Sequence, residues 1–347
     1  LTVPQLRRHT VLSLIENDFQ KLEAEDGIVR IAFVGKGGSG KTTLSALFIR
    51  ELTRLGRPVV AIDADINQHL GAALGLDEER LDGLTPMSVV LPEIKDYVRG
   101  TNPRIASVDE MVKTTPPGSG SKLIRFGEPS PLDEWCTLRL DGELEGARLM
   151  VTGAFAEQDL GVSCYHSKVG AAELYLNHLV DGPGQYAVLD MTAGADAFAS
   201  GLFTRFDITF LVVEPTRKSV SVYRQYTDYA AEYGISVRVV GNKVVDDEDV
   251  AFLRAEVGDA LVGWMGDSRY VRALDRGQRP DFSAFEPTGF ELLTRMLAEV
   301  DGSVRDDARM TSLAHLFHTK NALAWANRAA GTDVALQIDP EYVGPVG

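Results

Sequence analysis

The stretch Gly35-Lys36-Gly37-Gly38-Ser39-Gly40-Lys41-Thr42-Thr43 constrains this chain more than any other. It follows residues 29–34, a compact apolar run of strand character, and leads directly into residues 44–50, which read as a helix. Strand, glycine loop and helix, with Gly-x-x-x-x-Gly-Lys-Thr in the loop, form the setting of a phosphate-binding loop. Glycines let successive backbone N–H groups converge on a phosphate without Cβ obstruction. The helix behind them turns the positive end of its dipole on the same anion. Gly37, Gly38, Ser39, Gly40 and Thr43 frame the loop. Lys41 is expected to reach the β- and γ-phosphates, and the Thr42 hydroxyl to ligate Mg²⁺. Lys36 is the unusual member: its ammonium can reach a phosphate held by its own chain or by a second copy.

With 347 residues, 44% hydrophobic and 24% charged, there is material for one large α/β domain or two ordinary ones. The formal net charge of −15 disfavours sequence-independent DNA binding, which draws on clustered Lys and Arg. The two cysteines, Cys136 and Cys164, exclude a disulfide framework and fit a reducing cytoplasm. No apolar run reaches the roughly 18 residues of a membrane span. The first residues lack the apolar core and cleavage site of a signal peptide.

Along the chain, residues 4–25 space Leu6, Val11, Leu12, Leu14, Ile15, Phe19 and Leu22 as an amphipathic helix. A second buried strand, 58–62, ends in Asp63-Ala64-Asp65-Ile66-Asn67. Acids at the carboxyl end of a parallel strand point into the ligand crevice of an open α/β sheet; the competing reading has them cap the next helix. Residues 76–134 are proline-rich and irregular, an insertion with a helix expected over 87–98. Residues 135–153 suggest a hairpin turning near Asp141-Gly142. A helix is expected over 168–180, then a strand over 185–190 closing on Asp190, the acid of a Walker B arrangement. Asp190 would hold Mg²⁺ through water, and the Gly194 N–H would sense the γ-phosphate. A strand over 208–213 ends at Glu214-Pro215, and a helix covers 217–233. The strand at 236–240 runs into Gly241-Asn242-Lys243. Asn-Lys is half of a guanine reader, but its acid is missing because position 245 is Val. Asn242 can still pair with adenine, which favours ATP. Helices follow near 287–299 and 305–330, the latter placing Met310, Leu313, Phe317 and Ala324 on one core-covering face. His315 and His318 are either ligands or a satisfied pair. Alternating strands and helices argue for a doubly wound, mostly parallel α/β sheet with helices on both faces. The expected layout is an N-terminal helix in 1–27, the nucleotide domain over 28–285 and a helical extension over 286–347.

Lys-Gly-Gly-x-Gly-Lys-Thr-Thr at 36–43 resembles the deviant Walker A motif of the MinD/ParA/nitrogenase-iron-protein ATPases. Asp63-Ala64-Asp65-x-Asn67, Asp190-Met191-x-Ala193-Gly194, Val212-Val213-Glu214-Pro215 and Val240-Gly241-Asn242-Lys243-Val244 resemble, more narrowly, the CooC-type accessory ATPases of carbon monoxide dehydrogenase nickel insertion. The likeness covers residues 29–280. It implies a P-loop ATPase that forms a homodimer on binding Mg·ATP, hydrolyses it slowly and serves an unidentified client protein. Lys36 would cross to the partner's phosphates, Asp65 would orient or deprotonate the attacking water, and Asp63 would support the Mg²⁺ shell. Glu214 and Asn242 belong with the nucleotide contacts. Those accessory proteins carry Cys-x-Cys at the dimer interface, whereas this chain reads Cys164-Tyr165-His166. Two such pairs across a two-fold axis would make a Cys₂His₂ set suited to Zn²⁺, and imidazole also suits Ni²⁺. The alternative is a positioning or regulatory switch of the MinD/ParA kind, acting on a protein partner without metal. The acidic chain, ending without a basic amphipathic helix, disfavours DNA and membrane as partners.

Overall fold

A strand with apolar residues on both faces needs cover on both sides, and residues 29–35 meet that condition. Ile31 and Phe33 pack into one core, Ala32 and Val34 into another on the opposite face. The computed structural model describes residues 29–154, 165–180, 182, 184–192, 198 and 201–342. The N-terminal helix expected over 4–25 lies outside them.

In chain order the strands are β1 (Val29–Gly35), β2 (Val59–Ala64), β3 (Ile124–Arg125), β4 (Leu138–Arg139), β5 (Ala147–Val151), β6 (Leu179–Val180), β7 (Tyr186–Met191), β8 (Ile208–Val213), β9 (Val237–Asn242) and β10 (Leu261–Met265). Eight of them form one sheet in the order β10-β9-β8-β1-β7-β2-β5-β4. Every pairing in it is parallel except β4 with β5, the expected hairpin. The short β3 and β6 pair separately.

Helices cover both faces of this doubly wound sheet. On one side lie α1 (Lys41–Arg54), through Leu44, Leu47, Phe48 and Leu52, and α5 (Pro287–Asp301), through Leu292, Leu293, Met296 and Val300. On the other lie α2 (Tyr165–His178), α3 (Arg217–Glu232) and α4 (Asp247–Val257). The helix expected from residue 87 starts at Leu91 instead. The Met87 and Ser88 N–H groups donate to the carbonyls of Val151 and Thr152, which holds that backbone against the end of β5.

The expected extension, residues 286–347, begins with α5, which packs on the sheet core itself; α6 (Asp307–Asn321) follows and buries Met310, Leu313, Ala314 and His318. A π turn, Ala322–Ala326, follows. The wider turn shifts the helix face, so Ala322 and Ala326 are buried and Ala324, expected on the core face, is exposed. Beyond it the chain straps down the insertion. His318 shares a hydrogen bond with Thr114 at 3.1 Å, and the Thr115 hydroxyl donates to Gln337 at 2.9 Å. Gln337 donates to the Glu110 carbonyl, and Asp339 accepts the Ser119 N–H.

Candidate nucleotide site

Parallel strands bring their carboxyl ends to one edge of the sheet, where an open α/β fold places its ligand. β1 delivers the glycine loop, β2 Asp63 and Asp65, β7 Asp190, β8 Glu214 and β9 Asn242. Register sets Asp190 beside Phe33 on one neighbour and Asp63 on the other.

The loop tolerates no side chain at its tight points. A Cβ on Gly35 would lie 2.5 Å from Ser39 Oγ and 2.8 Å from the Val212 carbonyl oxygen. Gly40 has φ +93° and caps α1 with no side-chain hydrogen bond, and the first turn carries no acid. The orphan N–H groups of that turn therefore have no side-chain cap, the condition in which a helix N-terminus can receive an anion.

Lys41 is buried and pairs with Asp65, while Asp190 Oδ1 lies 3.7 Å away. Burial works against its ammonium, but the charges of Asp190 and Asp65 outweigh that and raise its pKa. Thr42 Oγ1 donates to Asp190 Oδ2 at 2.5 Å. Asp190 Oδ1 is buried and makes no hydrogen bond. Both Asp63 oxygens accept backbone N–H groups, from Asp65 at 3.1 Å and Leu70 at 2.8 Å. Asp63 thereby shapes the turn that aims Asp65 at Lys41, and Asp65 in turn accepts the Asn67 N–H at 2.9 Å. Burial pushes the Asp63 carboxyl up, and the neighbouring Asp190 adds to it. Burial also pushes Asp190 up, against the pull of Lys41 and Thr42. A hydroxyl beside a buried carboxylate that has one oxygen outside any hydrogen bond is a donor set that fits Mg²⁺, a hard cation that takes few protein ligands.

At the other end of the loop, Asn242 Nδ2 donates to the Ser39 carbonyl at 2.7 Å. Lys243 Nζ donates to the Gly38 carbonyl at 2.6 Å and to Glu214 Oε1 at 2.7 Å. Lys36 Nζ lies 3.6 Å from Glu214 Oε2. A cavity of about 830 Å³ opens along this edge. Gly37, Gly38, Gly40, Lys41, Thr42, Thr43, Asp65 and Asn242 line it. Its far wall, Met265 at the end of β10 with Gly266, Asp267, Ser268 and Arg272 beyond it, is built on a strand not among those expected above. His69 is a further lining residue that no motif pointed to.

Residues 31–314 match the family described as the CobQ/CobB/MinD/ParA nucleotide binding domain. The chain belongs to this family. Among curated members it is 26% identical, over 260 residues, to the carbon monoxide dehydrogenase accessory protein CooC of Rhodospirillum rubrum. That alignment covers 72% of this chain and 87% of CooC. It is also 26% identical to an uncharacterized ATP-binding protein of Methanocaldococcus jannaschii, over 68% of this chain and 84% of that one. The fold matches a putative plasmid partition protein of Borrelia burgdorferi solved with AMPPNP, at a TM-score of 0.51 and 13% identity, over 78% of this chain and 99% of that one.

Within this MinD/ParA-type P-loop domain, the structure gathers Lys41, Thr42, Asp63, Asp65 and Asp190 at one point and Lys36, Glu214, Asn242 and Lys243 around the loop. Cys164, the side chain of His166 and Gly194 lie outside the described residues. Among the described residues, no group of three or more His, Cys, Asp or Glu side chains is placed to hold a metal ion. His318 is a satisfied core residue: its ring also bonds the Val334 carbonyl at 2.8 Å. No helix among the described residues is long and apolar enough to cross a membrane.

Proposed function

We propose that this chain is a slow ATPase that closes as a pair of chains on Mg·ATP and serves metallocentre assembly on a client protein. The observation that carries the ATPase reading is the Lys41 ammonium set between Asp65 and Asp190 at the mouth of an uncapped helix. The triphosphate would displace those carboxylates from Lys41, take the free N–H groups of the loop and lie along the cavity toward Asn242. Asn242 spends its Nδ2 on Ser39, so its Oδ1 is the acceptor left for an adenine amino group. Thr42 and Asp190 would hold Mg²⁺, which neutralises charge on the β- and γ-phosphates. Asp65, freed from Lys41 and aimed by Asp63, would orient or deprotonate the attacking water. Lys36 would reach the phosphates of the paired chain. The rate gain comes from positioning and charge neutralisation, as phosphoryl transfer requires.

The likeness to CooC over 87% of its length supports the metallocentre role. Two copies of Cys164 and His166 would supply thiolate and imidazole for Zn²⁺ or Ni²⁺. The test is phosphate release and sedimentation of purified chain with Mg·ATP, with metal content measured in wild type and Cys164→Ser. ATP-dependent dimers with stoichiometric metal that Cys164→Ser loses would support the reading. Absence of ATP turnover would overturn the ATPase assignment, and dimers without metal would overturn the metallocentre role.

A further inference from the structure

Glu214 stands beside the phosphate loop, joined through Lys243 to the Gly38 carbonyl. Its two oxygens serve two different lysines: Oε1 accepts from Lys243 at 2.7 Å, and Oε2 faces Lys36 at 3.6 Å. Its backbone is fixed at the foot of α3, where its N–H donates to Ser219 Oγ at 3.0 Å and its carbonyl accepts from Thr216 at 2.7 Å. Lys243 is held in a left-handed conformation, φ +58°, and clamps the carboxylate to Gly38 of the loop. A non-glycine residue kept in that region marks a position over-determined by its surroundings, which occurs at functional sites. The Glu214 side chain is 14% exposed while that of Lys36 is 39% exposed. One end of the pair is therefore anchored and the other is free to leave.

We infer that Glu214 is a positioning residue that parks Lys36 on its own chain until ATP-driven pairing withdraws it. The inference rests on the paired-chain reading above and adds what holds Lys36 before pairing. A polyphosphate carries more charge than one carboxylate, so it competes well for the ammonium. A part-exposed ion pair is weak and releases its lysine readily.

A carbodiimide joins contacting Lys and Glu side chains, so the test is carbodiimide treatment of wild-type chain followed by peptide mass spectrometry, with and without Mg·ATPγS. The expected result is a Lys36–Glu214 crosslink in nucleotide-free chain that falls on adding the analogue. In parallel, Glu214→Gln should lower the protein concentration at which Mg·ATPγS half-dimerises the chain by about fivefold, the scale of a part-exposed pair. A wild-type chain that stays monomeric with the analogue would overturn the pairing reading and this inference with it. A chain that dimerises yet shows no such crosslink, or equal yield in both states, overturns the inference alone.

Discussion

Asp63 on β2 and Asp190 on β7 are register partners on adjacent parallel strands, both fully buried, at the edge where the glycine loop arrives. They divide the labour. Asp63 spends its oxygens on the backbone of the next turn, while Asp190 takes the Thr42 hydroxyl on one oxygen and turns the other, which makes no hydrogen bond, to Lys41 at 3.7 Å. Two buried carboxylates this close to Asp65 would be costly alone, and Lys41 is the cation that offsets them. The site is thus charge-compensated without nucleotide, and in the proposed reading phosphate binding would be an exchange of partners for Lys41.

Replacing that cation should be felt twice. Lys41→Met is expected to weaken Mg·ADP binding by ~3 kcal/mol, about 100-fold, because a charged hydrogen-bond donor to phosphate is lost. It also leaves Asp65 and Asp190 without their counter-ion, which should destabilise the nucleotide-free chain by ~3 kcal/mol. Titration calorimetry and urea unfolding check the two halves separately.

Gly40→Ala tests the loop geometry. A Cβ there would sit 2.1 Å from Asn242 Nδ2, on backbone at φ +93°. The left-handed conformation alone costs a non-glycine residue ~1–2 kcal/mol. Mg·ADP affinity should fall at least about tenfold, or ~1.4 kcal/mol. In an Asn242→Ala background the clash is gone, so the added cost of Gly40→Ala should shrink. An unchanged cost in that background would show that Asn242 does not press on the loop.

Much of this site was legible because its chemistry is local in sequence. The loop, Asp63-x-Asp65, Asp190 and Asn242 each follow an apolar strand, and the parallel sheet brings strand ends to one edge. What escaped is what tertiary packing decides. β10 is only five residues long, and its apolar run Leu261-Val262-Gly263-Trp264-Met265 follows α4 after three residues, where so short a run reads as strand or helix alike. The cavity wall after β10 escaped with it. The π turn at 322–326 moved Ala324 off the face that straight helical spacing gives it. The pairing of Lys36 with Glu214 joins residues far apart in the chain, and no spacing rule reports it.

Glu173 predicts a pH dependence away from the nucleotide. It is fully buried beneath Gly201, and burial pushes its carboxyl up to about 7, against the pull of Arg205 and Lys113. The native chain therefore keeps a proton there that the unfolded chain releases above its ordinary value of 4.5. Stability from this group is full below that value and declines as pH rises toward 7. Glu173→Gln should lack this slope. Wild-type stability relative to the variant should drop by on the order of 2 kcal/mol between pH 4.5 and 7.5. Denaturant titrations of both proteins across that range measure the difference, and parallel curves would refute it.

The strap over the insertion supplies the last test. His318 is buried with Thr114 on one nitrogen and the Val334 carbonyl on the other, so His318→Ala strands two polar groups and opens a void. The expected loss is ~2–3 kcal/mol. Burial lowers the His318 pKa below its ordinary 6.5, against the raising effect of the Val334 contact. Its native form is the neutral ring, and its contribution is present above pH 6.5 and fades as pH falls. The gap between wild type and His318→Ala should therefore narrow in acid. Because α6 and the strap lie away from the cavity lining, Mg·ADP affinity should stay within about twofold. Limited proteolysis should then cut the variant first within 100–121, the segment that Thr114, Thr115 and Ser119 tie to the C-terminal extension.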